Sequence, residues 1–140
     1  SEVRRNSSSK IIYHKSLFYY ENIMEHRWAQ NQGYDSALFI NEREEVCETS
    51  FANIFFVSNG EIFTPTISSG LLKGTMRDYI LETYKVKEDV ISFKDIDNYD
   101  EAFISNSLMG VRNVSSINNV KLNKNEKTKL IQRNLKEFGF

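Results

Sequence analysis

A mixed α/β domain, with strands joined by both hairpins and helices, is the fold class this sequence predicts. Three observations carry that expectation. Two apolar runs flank Asn59-Gly60 in "ANIFFVSNGEIFTP" (52–65), and Asn-Gly is the pair a type I′ hairpin turn takes because both central residues need positive φ. Three other stretches place apolar residues at helical spacing. Short β-branched and aromatic runs lie between these elements, so hairpin and helix connections alternate. A purely parallel, doubly wound sheet does not fit that pattern.

Taken in order, "SLFYYENIMEHRWAQNQ" (16–32) carries Leu17, Tyr20, Ile23, Met24 and Trp28 at helical spacing, and Gly33 follows as its stop. "SALFIN" (36–41) reads as a strand. The hairpin 52–65 comes next and ends at Pro65, which cannot donate to a ladder. "ISSGLLKG" (67–74) is a glycine-punctuated loop. It leads into a helix over 75–85 with Met76, Tyr79, Ile80 and Tyr84 on one side. Strands are expected over 88–93, 101–106 and 110–117, with a turn at Asn118-Asn119. A terminal helix over 125–138 gathers Leu130, Ile131, Leu135 and Phe138 on one face.

The 140 residues are 40% apolar and 26% charged with a net charge of −1, an ordinary globular composition for one domain with one core. The balanced charge argues against a nucleic-acid partner. No apolar run approaches the length of a membrane span. One cysteine and two histidines are too few for a zinc site, and a lone cysteine points to a reducing, cytoplasmic setting. The polar opening "SEVRRNSSSK" (1–10) reads as the remnant of an interdomain linker, and 11–140 as the domain it leads into.

Four places could carry chemistry. Lys15, among Tyr13, His14, Phe18 and Tyr19, is either a solvated surface amine or an amine in a partly dry pocket, where desolvation lowers its pKa and frees it as a nucleophile. "GLLKGTMRD" (70–78) sets a glycine before a helix start, an arrangement that aims free N–H groups at an anion; it also fits a plain glycine turn. Ser105, Asn106 and Ser107 close a strand, where phosphate or carboxylate ligands collect and where polar turns are also ordinary. Glu48, at the mouth of the hairpin, is either a solvated carboxylate or a buried acid with a cationic partner.

In this order and at these spacings the four sites resemble the class IV (fold type IV) pyridoxal-phosphate enzymes. That family includes branched-chain and D-amino acid aminotransferases and 4-amino-4-deoxychorismate lyase. The matching pieces are "RRNSSS…HKSLFYYENIM", "GYDSALFIN", "ETSFANIFFVSNGEIFTP", "GLLKGTMRDYIL" and "DEAFISNSLMGVRNV". The joint pattern is E-x-S-x-x-N-[IV]-F with Thr-Pro, then G-x-x-R, then the last strand. The resemblance implies a D-amino acid aminotransferase-like C-terminal domain, a pseudo-barrel of mixed strands with flanking helices, without the family's smaller N-terminal domain.

It further implies pyridoxal 5′-phosphate as cofactor and a role for each matching residue. Lys15 corresponds to the lysine that holds the cofactor as a Schiff base and then moves the substrate's proton. Glu48 corresponds to the carboxylate paired with the pyridine nitrogen, and the small residues Thr49, Ser50 and Ala52 leave room for the ring. Gly74, Thr75 and Met76 correspond to the helix start whose N–H groups take the phosphate, and Ser107 to a hydroxyl on its far side. Tyr19 corresponds, across a one-residue gap, to a tyrosine near the phenolic oxygen. No metal is implied.

Two departures stand out: Phe18 replaces the family's usual Asn, and Thr75-Met76 its common Ile-Thr. Met76, with "SNSLMG" (105–110), leans toward the lyase branch, which eliminates pyruvate from 4-amino-4-deoxychorismate to give 4-aminobenzoate for folate. A branched-chain or D-amino acid transaminase is the alternative, and a cofactor-free domain keeping the fold is a second one. The small-molecule amino acid or aminochorismate substrate, the missing N-terminal domain and a second copy in a homodimer are the implied partners. The fragment alone is expected to be inactive.

Overall fold

The computed structural model describes residues 1, 3–7 and 19–139, with backbone only at Tyr19 and Tyr20. Its elements are β1 (Arg4–Arg5), α1 (Tyr19–Asn31), β2 (Leu38–Asn41), β3 (Val46–Thr49), β4 (Asn53–Ser58), β5 (Glu61–Pro65), α2 (Thr75–Thr83), β6 (Val86–Asp89), β7 (Glu101–Asn106), β8 (Gly110–Val114), β9 (Ser116–Ile117), β10 (Val120–Lys121) and α3 (Glu126–Leu135). They form a five-stranded sheet in the order β6-β5-β4-β7-β8, a three-stranded sheet β1-β2-β3, and the pair β10-β9. The mixed α/β expectation holds: β1 pairs with β2 and β5 with β6 in parallel, and the remaining strand pairs are antiparallel.

The period of two along β4 explains the layering. Ile54 and Phe56 face a core shared with Ile40 and Val46 of the small sheet, together with Ala102, Ile104, Ile91 and Leu122. Phe55 and Val57 face the other way, against Met76 and Ile80 of α2 and Ile131 and Leu135 of α3. A strand covered on both faces reads as a continuous apolar run, as "NIFFV" does. Phe55 and Phe103 stack across β4 and β7 at 4.8 Å between ring centres, both fully buried. The hairpin turn matches its sequence signal, with φ of 51° at Asn59 and 80° at Gly60.

Four expectations change. Helix α1 closes just before Gly33, with φ of 90°, but the later part of its expected apolar stripe turns outward: Met24 and Trp28 are 48% and 42% exposed, Ile23 is half-buried, and Ala29 is buried. Polar contacts hold α1 instead, through Asn22 to Arg5 and His26 to Ser50. The strand expected over 88–93 lies earlier, as β6. Pairing with β5 sets its register from Ile62↔Val86 to Pro65↔Asp89, after which the chain turns into a 3-10 segment, Phe93–Asn98. The run 110–117 divides into β8 and β9, the latter turning back through Asn118, with φ of 50°. The terminal helix buries Ile131 and Leu135 while Phe138 stays 64% exposed, edge-on to Tyr79.

α3 is capped from another element. Asn125 gives no side-chain cap, but buried Glu101 of β7 accepts from the N–H groups of Lys127 (3.2 Å) and Thr128 (2.7 Å) and from the Thr128 hydroxyl (2.6 Å). A carboxylate there also meets the positive end of the helix dipole. Glu101→Ala is expected to cost about 2 kcal/mol in urea unfolding, the upper range for a lost cap, with α3 amides exchanging first.

Candidate functional site

The site starts where β3 ends. The sequence places Glu48 at the mouth of the hairpin, whereas the fold gives it a strand of its own, joined to β4 by the turn 50–52. Thr49 closes that turn: its hydroxyl donates to the Ala52 carbonyl and accepts from the Ala52 N–H, each at 3.0 Å. Behind it, the Ser50 hydroxyl lies 2.9 Å from His26 Nδ1 and 2.8 Å from the Ser36 hydroxyl. These bonds fix a turn in which Thr49, Ser50 and Ala52 are small and buried, while the Phe51 ring is 41% exposed.

Glu48 is 5% exposed, so it needs a cation. Arg5 supplies it: Nη1 lies 3.3 Å from Glu48 Oε1, Nη2 donates to Asn22 Oδ1 at 2.6 Å, and Nε lies 3.6 Å from Glu21. The guanidinium also lies over the Phe39 ring, 4.2 Å from its centre. Burial pushes the Glu48 carboxyl up to about 7, and the nearby Arg5 charge opposes that rise without cancelling it. Arg5 is the site residue that sequence reading misses. Nothing in the polar stretch 1–10 signals that one of its two arginines is buried.

The second half of the site is the start of α2. Gly74 precedes the helix, and no side chain caps it, so the N–H groups of Thr75 and Met76 emerge at its positive end. Leu72 joins the two halves. Its N–H donates to Glu48 Oε2 at 3.3 Å, and its carbonyl accepts from Asn53 Nδ2 at 2.9 Å. Gly74 packs against that same Asn53: a Cβ there would lie 2.5 Å from Asn53 Oδ1. Opposite Asn53 in the β4–β7 register stands Ser105, fully buried, whose hydroxyl has no partner among the described residues. Cross-strand neighbours share a sheet face, so this hydroxyl faces the side that carries Gly74.

Ser107 is exposed in the turn after β7, and Thr75 is exposed at the helix start. Asn106 shapes that turn, accepting from the N–H groups of Leu108 (3.0 Å) and Met109 (2.8 Å) and donating to the Phe51 carbonyl (3.1 Å). Glu48, Gly74, Thr75, Met76 and the Ser107 turn thus all sit on or beside segments tied to the 50–52 turn. Lys15 lies outside the described residues, and Tyr19 enters only as the first residue of α1. A cavity of about 450 Å³ lined by Leu38, Thr49, Phe51, Val114 and Ile117 reaches the 49–52 turn but none of Glu48, Gly74, Thr75 or Ser107.

The donor set fits a flat cationic ring bearing an anionic arm. A buried carboxylate would face such a ring, uncapped N–H groups and an unpartnered hydroxyl would suit the anion, and the missing Cβ at Gly74 leaves the loop close-packed against Asn53. Among the described residues no cluster of His, Cys, Asp or Glu could hold a metal, and no helix is long and apolar enough to cross a membrane.

Comparison with known proteins gives the same direction. The family described as amino-transferase class IV matches residues 1–117. An aminodeoxychorismate lyase from Vibrio harveyi is 29% identical over 121 residues, covering 83% of this chain and 45% of the lyase. The branched-chain amino acid aminotransferase from Escherichia coli superposes with a TM-score of 0.89 at 25% identity, over 100% of this chain and 50% of that one. The branched-chain aminotransferase from Thermobaculum terrenum in its PLP form gives 0.77 at 29% identity, over 87% and 42%. The chain spans less than half the length of the V. harveyi relative.

Proposed function

The chain belongs to the class IV aminotransferase family, whose members are pyridoxal-phosphate-dependent aminotransferases and lyases. On that premise we propose that it is the cofactor-holding domain of 4-amino-4-deoxychorismate lyase, releasing pyruvate and leaving 4-aminobenzoate. The observation that carries the cofactor assignment is Leu72, whose N–H holds the Glu48 carboxylate and whose carbonyl is held by Asn53, the side chain that Gly74 at the α2 start packs against. When bound, the cofactor supplies an electron sink for the carbanion formed at the substrate's α-carbon.

The rest belongs to this chain. Glu48, held by Arg5, keeps a proton on the ring nitrogen. Thr75 and Met76 N–H groups and the Ser107 hydroxyl take the phosphate. The Lys15 amine anchors the cofactor and moves the proton. The lyase branch is favoured by Met76, which places a buried thioether where a side-chain hydroxyl would add a phosphate donor, and by the Asn106-organised turn of "SNSLMG". A branched-chain or D-amino acid transaminase is the second reading, favoured by the E. coli likeness. In either case a further domain covers the cofactor, and two copies pair.

The test uses the full-length protein containing this chain. Incubation with aminodeoxychorismate is expected to release 4-aminobenzoate and pyruvate in equal amounts. Lys15→Ala is expected to abolish both, along with the borohydride-reducible cofactor adduct. Keto-acid-dependent transamination without 4-aminobenzoate would move the assignment to the second reading. Absence of any adduct at Lys15 would leave a cofactor-free domain.

A further inference from the structure

Arg77 closes the G-x-x-R motif, and the roles assigned above give it no task. It is the third residue of α2 and is 1% exposed. Its Nη2 donates to Glu88 Oε1 at 2.7 Å and to the Pro65 carbonyl at 3.2 Å, while Nε and Nη1 have no partner among the described residues. Burying a cation with two unpartnered nitrogens costs stability, and an apolar side chain of similar volume would avoid that cost. What an apolar side chain cannot do is hold a helix start to two strand ends.

Pro65 and Glu88 stand near the carboxyl ends of β5 and β6, the two parallel strands that α2 connects, with Pro65 paired to Asp89 and Thr64 to Glu88. The positive end of α2 therefore opens at the carboxyl edge of a parallel pair, where α/β folds bind anions. Packing of Met76 into the core and the Asn53–Gly74 contact seat that first turn without a charged tie. It has no side-chain cap, and the Lys73–Asp78 pair beside it is long, at 3.8 Å, and solvated. We propose that Arg77 is a positioning residue for the cofactor's phosphate. By tying the first turn of α2 to Pro65 and Glu88, it fixes the aim of the Thr75 and Met76 N–H groups and adds a buried positive charge behind them. This rests on the assignment of the α2 start as the phosphate site.

The experiment compares pyridoxal 5′-phosphate with pyridoxal, which lacks the phosphate, binding to the ¹⁵N-labelled protein. Dissociation constants are read together with the amide shifts of Thr75 and Met76. Wild type is expected to prefer the phosphorylated form and to shift both amides. In Arg77→Met that preference is expected to fall roughly tenfold with pyridoxal affinity unchanged, as for one charge-assisted tie lost behind the site. Arg77→Lys is expected to restore part of it. Glu88→Gln, at a half-exposed side chain, is expected to give a smaller fall in the same direction, and it decides the matter if Arg77→Met does not fold. A wild-type preference kept in Arg77→Met, or in Glu88→Gln where the first is unfolded, overturns the role of Arg77 alone. A wild type with no preference overturns the phosphate site and this role with it.

Discussion

Glu48→Gln is expected to remove a fall in stability that wild type shows between pH 4.5 and about 7. The carboxyl titrates at about 7 in the fold, against an ordinary 4.5. Across that window the folded protein holds a proton that the unfolded chain has released. Raising the pH therefore favours unfolding until both states are ionised, and the curve is level above about 7. The loss is on the order of 3 kcal/mol, at about 1.4 kcal/mol for each pH unit that separates the folded and unfolded midpoints. Other carboxylates titrate nearby in pH, so the quantity to measure is the wild-type minus Glu48→Gln difference in urea-unfolding free energy at half-unit steps. A difference that stays flat across this window would mean that Glu48 is ionised in the fold throughout, with Arg5 outweighing burial. Pyridoxal 5′-phosphate gives the linked result. A cationic ring beside Glu48 favours the carboxylate, so binding at about pH 6 is expected to release protons from Glu48 in wild type that Glu48→Gln does not release.

Gly74→Ala is the second large effect, and its cause is space. The backbone at Gly74 is extended, with φ of −77°, so alanine is not strained there. Its methyl would nevertheless sit 2.5 Å from Asn53 Oδ1, and Asn53 is 7% exposed and bonded to the Leu72 carbonyl. Either the amide rotates and loses that bond, or the helix start moves. The expected cost is about 1–3 kcal/mol, the penalty for a buried polar group left unmet, with weakened phosphate binding alongside. A double-mutant cycle with Asn53→Ala separates the causes. Removing the amide relieves the clash, so the double variant is expected to be more stable than the sum of the singles predicts. Strict additivity would place the cost elsewhere.

Much of the fold was legible because its signals are local. The Asn59-Gly60 hairpin, the Gly33 helix stop and the Met76–Ile80 face of α2 each depend on neighbours in sequence, and each stands where the pattern puts it. The misplacements come from long-range pairing. β6 takes its register from β5 rather than from its own apolar residues, and α1 is held by Arg5 and Ser50, both far away in the chain. The site divides in the same way. Gly74 and Glu48 stand out by type and spacing, since a glycine before a helix and an acid before small residues are visible in one dimension. Arg5 is invisible there because only folding brings β1 across to β3. Lys15 and the Tyr19 side chain lie outside the described residues, so their placement rests on the resemblance alone.

The outermost strand of the large sheet has a bearing on how the molecule meets others of its kind. Among the described residues β6 has one neighbour, and along it Lys87, Glu88 and Asp89 follow in succession on alternating faces, all exposed. An open ladder of N–H and C=O groups invites another chain to add a strand, and consecutive charges make that addition costly. One of them, Glu88, is also the carboxylate held by Arg77. Neutralising this rim is therefore expected to loosen two restraints together: the barrier to edge-to-edge stacking between molecules, and the anchor of the helix within one.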